Sequence, residues 1–179
     1  MALVLTISGS PSANSRSAGI TQYIGAQLAR QNVEVESLQV RELPAEDLLW
    51  ARIDAPALQR ALAQVARASA IVVASPVYKA TYSGILKAFL DLLPQAGLAG
   101  KVALPILTGG TQSHWLALDY GLKPLLSVLG VTHSLGGLFI LDSQIERRAD
   151  GSIGLDGALT ARLDGAIAEL VASVRPHTS

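Results

Sequence analysis

Five short runs of apolar, largely β-branched residues recur along the chain, at 2–8, 33–40, 70–75, 101–107 and 134–141. Stretches of helical periodicity separate them, near 16–31, 56–67, 83–93 and 112–129, with a last one near 157–174. Short runs of this kind read as buried strands of a parallel sheet covered by helices. The alternation of such strands with helices predicts one three-layer α/β domain over 1–179, helices on both faces of the sheet. The segment 42–55 reads as a loop with a short helical turn, and 142–156 as polar and turn-rich.

Composition narrows the function classes. Half of the 179 residues are apolar, only 16% are charged, and mean hydropathy is +0.38. No apolar run approaches the ~20 residues of a membrane-spanning helix, and the N-terminus lacks the basic start of a secretory signal. Apolar surface shared between subunits accounts for this composition, so a homo-oligomer is expected. Lys+Arg and Asp+Glu both number 14, which argues against nucleic acid or an anionic membrane as partner. Cysteine is absent, excluding disulfides, thiolate catalysis and cysteine-held metals. His114, His133 and His177 are scattered without ligand spacing, and a cytoplasmic, metal-free protein is the expectation.

Two doubly wound strand orders are compatible with the pattern, and five strands favour the flavodoxin-like 2-1-3-4-5 over the longer Rossmann order. In either, ligands sit beyond the carboxyl ends of the strands where the order reverses, so the loops after strands one, three and four matter most.

The first loop, GSPSANSRS (9–17), contains neither the P-loop nor the dinucleotide fingerprint. It wraps Ser8, Ser10, Ser12, Asn14, Ser15, Arg16 and Ser17 around a helix start, where free N–H groups and the dipole favour an anion. Phosphate binding is one reading, and helix capping by Ser and Asn the other. Ser10-x5-Arg16 has the spacing of the phosphatase loop Cys-x5-Arg, without the thiolate that drives hydrolysis. Such a loop holds a phosphate without breaking it.

The second loop opens SPVYKATYSGILKAFLDLLP (75–94). Pro76 fixes the strand exit, and Tyr78 and Tyr82 put two of the chain's eight aromatic residues within five positions. They lie against a flat ring system or plug the core or a subunit interface. Lys87 and Asp91, four apart on a helix, read as a surface or interface pair.

The third loop opens TGGTQSHWLALDYGLKPLLSVLG (108–130). Thr108-Gly109-Gly110-Thr111 brings backbone close to a ligand. His114 lies near a ligand edge or faces solvent. Pro124 inside a helical pattern clashes with the carbonyl of Tyr120, predicting a kink or π-bulge there, or a break at Gly121. A phosphate cradle, aromatic rings and a glycine-rich edge at one crevice describe a site for FMN, whose terminal monophosphate suits the cradle better than a dinucleotide does.

These three segments resemble the NAD(P)H-dependent FMN reductases of flavodoxin-like fold, and more narrowly the reductase component of bacterial alkanesulfonate and methanesulfonate two-component monooxygenase systems. The similarity extends through PAEDLLWARIDAPAL (44–58) and DSQ (142–144), and is weaker over 145–156. The resemblance implies reduction of FMN by NADPH or NADH, with reduced flavin passed to a partner monooxygenase in organosulfur metabolism. It implies a homodimer or homotetramer packed through the helices after strands three and four, with Tyr120 in a π-bulge at the tetramer interface.

Hydride passes directly between cofactors on this reading, so no catalytic side chain is required. Ser10, Ser15, Arg16 and Ser17 hold the phosphate. Pro76, Val77, Tyr78, Lys79 and Ser83 frame the ring and ribityl chain, and Thr108, Gly109, Gly110, Thr111 and His114 approach its polar edge. The alternatives are a quinone or azo-dye reductase with tightly bound FMN, a flavodoxin-type electron carrier, and a non-catalytic binding protein.

Overall fold

Strand β1 (Leu3–Ser8) is an inner strand of a parallel sheet in the computed structural model, which describes residues 2–149 and 152–174. Asp150 and Gly151 of the turn-rich segment, and His177, lie outside the described residues. On one side β1 pairs with β2 (Glu34–Gln39), and on the other with β3 (Ala70–Tyr78). β3 continues past the predicted 70–75 and folds back on β4 (Thr81–Tyr82), an antiparallel pair. Its turn residues Lys79 and Ala80 both take positive φ (49° and 69°), the handedness that two-residue hairpins require.

β5 (Val102–Gly109) pairs with β3, and the fifth position is shared by β6 (His133–Ser134) and β7 (Leu138–Leu141), both parallel to β5. The path β2-β1-β3-β5-β6, with β7 also on β5, carries the predicted 2-1-3-4-5 order. The strand count differs from the expected five: the sheet has seven strands, and β8 (Ile145–Arg147) and β9 (Ile153–Leu155) form a separate hairpin. The predicted strand 134–141 is split at Gly137, whose φ of +77° takes the backbone out of the extended ladder.

Alternation along the strands feeds two cores. Leu5, Ile7, Ile71, Val73 and Leu107 face one side with Phe89 and Leu126. That side is covered by α2 (Ala45–Leu49), α3 (Pro56–Arg67), α4 (Gly84–Leu90) and α5 (Lys123–Val128), whereas α1 (Arg16–Arg30) and α6 (Gly157–Val174) cover the other. There Val4, Val72, Leu104 and Ile106 meet Ile24 and Leu28 of α1 and Leu163 and Ile167 of α6. This is the three-layer arrangement expected. No helix among the described residues is long and apolar enough to cross a membrane.

Two charged contacts tie the layers together away from the crevice. Lys101 is buried, and its Nζ donates to the carbonyls of Ala68 (2.6 Å) and Ala66 (3.0 Å) at the end of α3. Burial holds this ammonium below its ordinary value. Arg67 of α3 reaches Glu36 of β2 at 2.6 Å, and that hydrogen bond holds the Glu36 carboxyl below its ordinary 4.5. A depressed carboxylate contributes stability that is complete above its unfolded-state value and is lost as pH falls through the folded one. Glu36→Gln should therefore flatten the part of a melting-temperature profile that lies below about pH 4.5, and leave the neutral region little changed because the pair is half-exposed.

Candidate flavin crevice

The sheet order reverses between β1 and β3, and the loops leaving β1, β3 and β5 converge above that point, where doubly wound proteins bind ligands. They enclose a cavity of about 180 Å³. The first loop contributes Ser10, Ser12, Asn14, Ser15 and Arg16; β3 contributes Pro76, Val77 and Tyr78; β5 contributes Thr108, Gly109 and Gly110.

The first loop is built around the start of α1. Ser15 caps the helix, its Oγ accepting from the Ala18 N–H (3.3 Å) and lying 2.8 Å from Ser17 Oγ. Ser10 Oγ accepts from the Ser12 N–H (3.2 Å). The first turn of α1 carries no acidic residue, so the positive end of its dipole is not offset by the chain's own carboxylates. Capping and anion binding are thus compatible, since one serine caps and the remaining donors stay at the cavity. Ser17 is fully buried behind Ser15 and does not line the cavity.

Arg16 lines the cavity but is drawn to its far rim. Its Nε donates to the Ile145 carbonyl (3.3 Å), and Nη1 lies 3.7 Å from the Asp142 carboxylate. Asp142 and Arg147 close that rim. The residue-by-residue reading of the sequence does not assign either to this crevice. Asp142 stands in the quoted DSQ, and Arg147 in an arginine pair, but only the topology brings the end of β7 and the β8 hairpin over the start of α1.

The second loop divides its two tyrosines. Tyr78 is 47% exposed at the cavity wall, whereas Tyr82 packs half-buried against the core beneath the hairpin. Ser83 is buried and caps α4 through the Leu86 N–H (3.2 Å). Its Oγ donates to the Gly9 carbonyl, and its N–H donates to Ser75 Oγ (2.9 Å). Ser83 thereby ties the first two loops together from behind and lines no part of the cavity. A Cβ on Gly9 would lie 2.6 Å from Leu86 Cβ, so only glycine lets the first loop rest on α4 this closely. Lys79 sits at the hairpin tip, outside the cavity walls.

In the third loop, Gly109 backs onto Phe139 of the neighbouring strand β7, where a Cβ would lie 3.0 Å from the ring. Gly110 has nothing within 4 Å of where a Cβ would stand, so its bare backbone faces open space. Thr111 is exposed beside Ser113 (3.3 Å), and His114 lies in a 3₁₀ turn over Gln112–His114. Both stand outside the cavity walls. Beyond them the chain makes a π-helical turn over Leu118–Leu122, one of the outcomes expected from Pro124, and Tyr120 projects from it 81% exposed. Gly121 of that turn sits over Thr81 and Tyr82, so the π-turn supports the hairpin of the crevice.

Three observations bear on whether these residues suit FMN. The α1 start offers an uncompensated positive end beside serine hydroxyls. Gly110 leaves a bare backbone edge. Pro76, Val77 and Tyr78 give the cavity a wall of apolar and aromatic side chains. The residues fit a phosphorylated ring compound whose tail meets the first loop and whose ring reaches the second and third.

Fold and crevice together define a flavodoxin-like α/β protein with an open cleft at the point where its strand order reverses. The chain belongs to the NADPH-dependent FMN reductase family, whose model matches residues 2–146, and so to the NAD(P)H:FMN oxidoreductases. It is 50% identical over 143 residues to FMN reductase (NADPH) of Pseudomonas putida, a span covering 80% of this chain and 73% of that one. The NADH-dependent FMN reductase SfnE of Pseudomonas putida is 31% identical over 163 residues, covering 89% and 86%. The apo crystal structure of NADH:FMN oxidoreductase EMOB superposes with a TM-score of 0.89 at 38% identity, covering 99% of this chain and 92% of that one. The family match ends just before Arg147 and Arg148.

Proposed function

We propose that this oxidoreductase reduces FMN as a freely exchanging substrate and hands it to a partner monooxygenase that acts on organosulfur compounds such as sulfonates. The observation that carries this reading is the π-turn at Tyr120, beside the β3–β4 hairpin of the crevice. It stands where the resemblance to the sulfonate-linked reductases calls for a π-bulge. The half-open form of the crevice, with Tyr78 exposed at its wall, also suits a flavin that comes and goes. A cytoplasmic location goes with this reading.

Bound FMN supplies the redox chemistry, accepting a hydride equivalent from the nicotinamide. The protein's part is binding and orientation. Ser10, Ser15 and Arg16 hold the phosphate against the dipole of α1. Pro76, Val77 and Tyr78 form the wall for the ring, and the backbone of Thr108–Gly110 meets its polar edge. Ser17 and Ser83 act from behind, orienting Ser15 and the Gly9 carbonyl. Arg16→Ala should weaken FMN about tenfold, the loss of one charge-assisted hydrogen bond, as read by quenching of flavin fluorescence.

Homo-oligomerisation belongs to the same proposal. Trp115, Leu116, Tyr120 and Val128 leave 47%, 47%, 81% and 74% of their surface exposed on the segment after β5, an apolar area suited to subunit contact. The test of the whole reading is NADPH and NADH oxidation with and without added FMN, followed by dialysis. Turnover that scales with free FMN, and loss of flavin on dialysis, are the expected results. Flavin retained through dialysis with ping-pong reduction of quinones would support the quinone or azo-dye reductase instead, and no oxidation of either nucleotide would support the electron carrier.

A further inference from the structure

The β8–β9 hairpin packs against the start of α1, and its pairing register decides which side chains it turns toward the first loop. Ile145 stands opposite Leu155 and Arg147 opposite Ile153, and the two-residue period of a strand places these four side chains on one face. That face lies against α1. Ile145 is 2% exposed in the core that α1 and α6 cover, and a Cβ on Gly19 of α1 would lie 2.5 Å from Ile153. Glu146 and Arg148 share the opposite face, at 3.0 and 3.2 Å from where a Cβ on Gly154 would stand.

Arg147 therefore brings its guanidinium to the first loop, where Nη1 donates to the Asn14 carbonyl (3.0 Å). Arg16 runs the other way, from α1 to the Ile145 carbonyl of β8 (3.3 Å). The two arginines clasp hairpin and loop together, yet their charges are placed differently. Arg16 Nη1 lies 3.7 Å from the Asp142 carboxylate, which offsets its charge. Arg147 meets a neutral carbonyl, and among the described residues no carboxylate forms an ion pair with it. Asn14, Ser15 and Arg147 also form the partition between the crevice and a larger cavity of about 590 Å³ outside it. The guanidinium thus stands at the end of the crevice where the serine hydroxyls and the start of α1 are gathered.

We infer that Arg147 is a second guanidinium for the flavin phosphate, and that its charge is what makes the crevice select phosphorylated over unphosphorylated flavin. The inference rests on the reading that FMN lies in this crevice with its tail at the first loop. A phosphate monoester carries about −1.5 to −2 charge at neutral pH. Arg16 and Asp142 together are close to neutral as a pair, so Arg147 leaves this end of the crevice cationic. Its bond to the Asn14 carbonyl uses one N–H of the guanidinium, and the planar fork of the remaining donors suits a phosphate. Arg147 lies just beyond the segment matched by the family model, so the strength of this selection can differ between reductases that are alike in the first loop.

The test is a titration with FMN and with riboflavin, read by quenching of flavin fluorescence, on the wild type, Arg147→Gln and Arg147→Lys. Glutamine can still donate to the Asn14 carbonyl but carries no charge, whereas lysine keeps the charge. Arg147→Gln should weaken FMN about tenfold, the loss of one charge-assisted hydrogen bond, and leave riboflavin unchanged. Arg147→Lys should recover most of the FMN affinity. In the wild type the preference for FMN should fall as salt rises, and Arg147→Gln should flatten that dependence. Saturable riboflavin binding and an unchanged melting temperature show that each variant is folded. Equal losses for both flavins would mean that Arg147 only clasps the hairpin, and would overturn the inference, as would a lysine variant no better than glutamine. If the wild type binds the two flavins equally, the phosphate cradle of the proposed function fails as well. A preference present in the wild type and kept in full by Arg147→Gln overturns the role of Arg147 alone.

Discussion

Gly137→Ala should lower the free energy of unfolding by about 3 kcal/mol, within the upper range for single substitutions. The left-handed conformation at this position, φ +77°, costs a non-glycine residue about 1–2 kcal/mol by itself. The remainder comes from contact, because the new Cβ would stand 2.8 Å from the Pro105 carbonyl oxygen, in the backbone of β5. Relief requires β5 or β7 to shift, and these strands carry Gly109 and Asp142 to the crevice. Gly136→Ala is the control, with nothing within 4 Å of its Cβ, and should be close to neutral. Urea denaturation of both variants reads the difference directly; a loss at position 137 no larger than at 136 would contradict this packing.

Gly110→Val should leave the melting temperature unchanged and weaken FMN about a hundredfold, equivalent to roughly 2.7 kcal/mol. Gly110 is not among the residues with positive φ, and the space around it is open, so the folded chain accepts the side chain. That open space belongs to the crevice wall, and a branched side chain there would stand where the ring edge approaches. A stability loss in place of an affinity loss would mean that the third loop packs closely around this position.

Sequence and structure agree most closely where one physical signal dominates. The apolar runs of β1 and β5 and the periodic stretch of α3 are legible because burial on both faces, or on one stripe, leaves a regular pattern. Pro124 is legible as a disturbance of the helix, because its missing donor and ring clash call for a kink, a π-bulge or a break, and the structure takes the π-turn at Tyr120. The split of the last strand at Gly136-Gly137 is not legible, because a glycine pair gives no indication that one of them takes a left-handed φ. The β8–β9 hairpin has only three residues per strand and many polar positions, too short for a period to declare itself.

Within the crevice, the exits of β1, β3 and β5 are legible from topology and composition, and they bring Ser10, Ser15, Arg16, Pro76, Val77, Tyr78, Thr108, Gly109 and Gly110 to one cavity. Ser17, Lys79, Ser83, Thr111 and His114 are expected there from their place in the loops, yet they line no part of it. Their orientation depends on local bonding that loop composition does not encode. Ser83, for example, turns inward to cap α4 and bond Gly9. Asp142 and Arg147 reach the crevice through contacts distant in sequence, such as Arg147 to Asn14, 133 residues apart.

A titration of the protein with FMN and, in parallel, with riboflavin tests the central claim most directly. The two share the ring and ribityl chain and differ in the phosphate. Saturable quenching by FMN, with riboflavin bound at least about tenfold more weakly for want of the charge-assisted bonds at the first loop, is the result this structure predicts. Equal affinities, or no saturable binding of FMN, would contradict it.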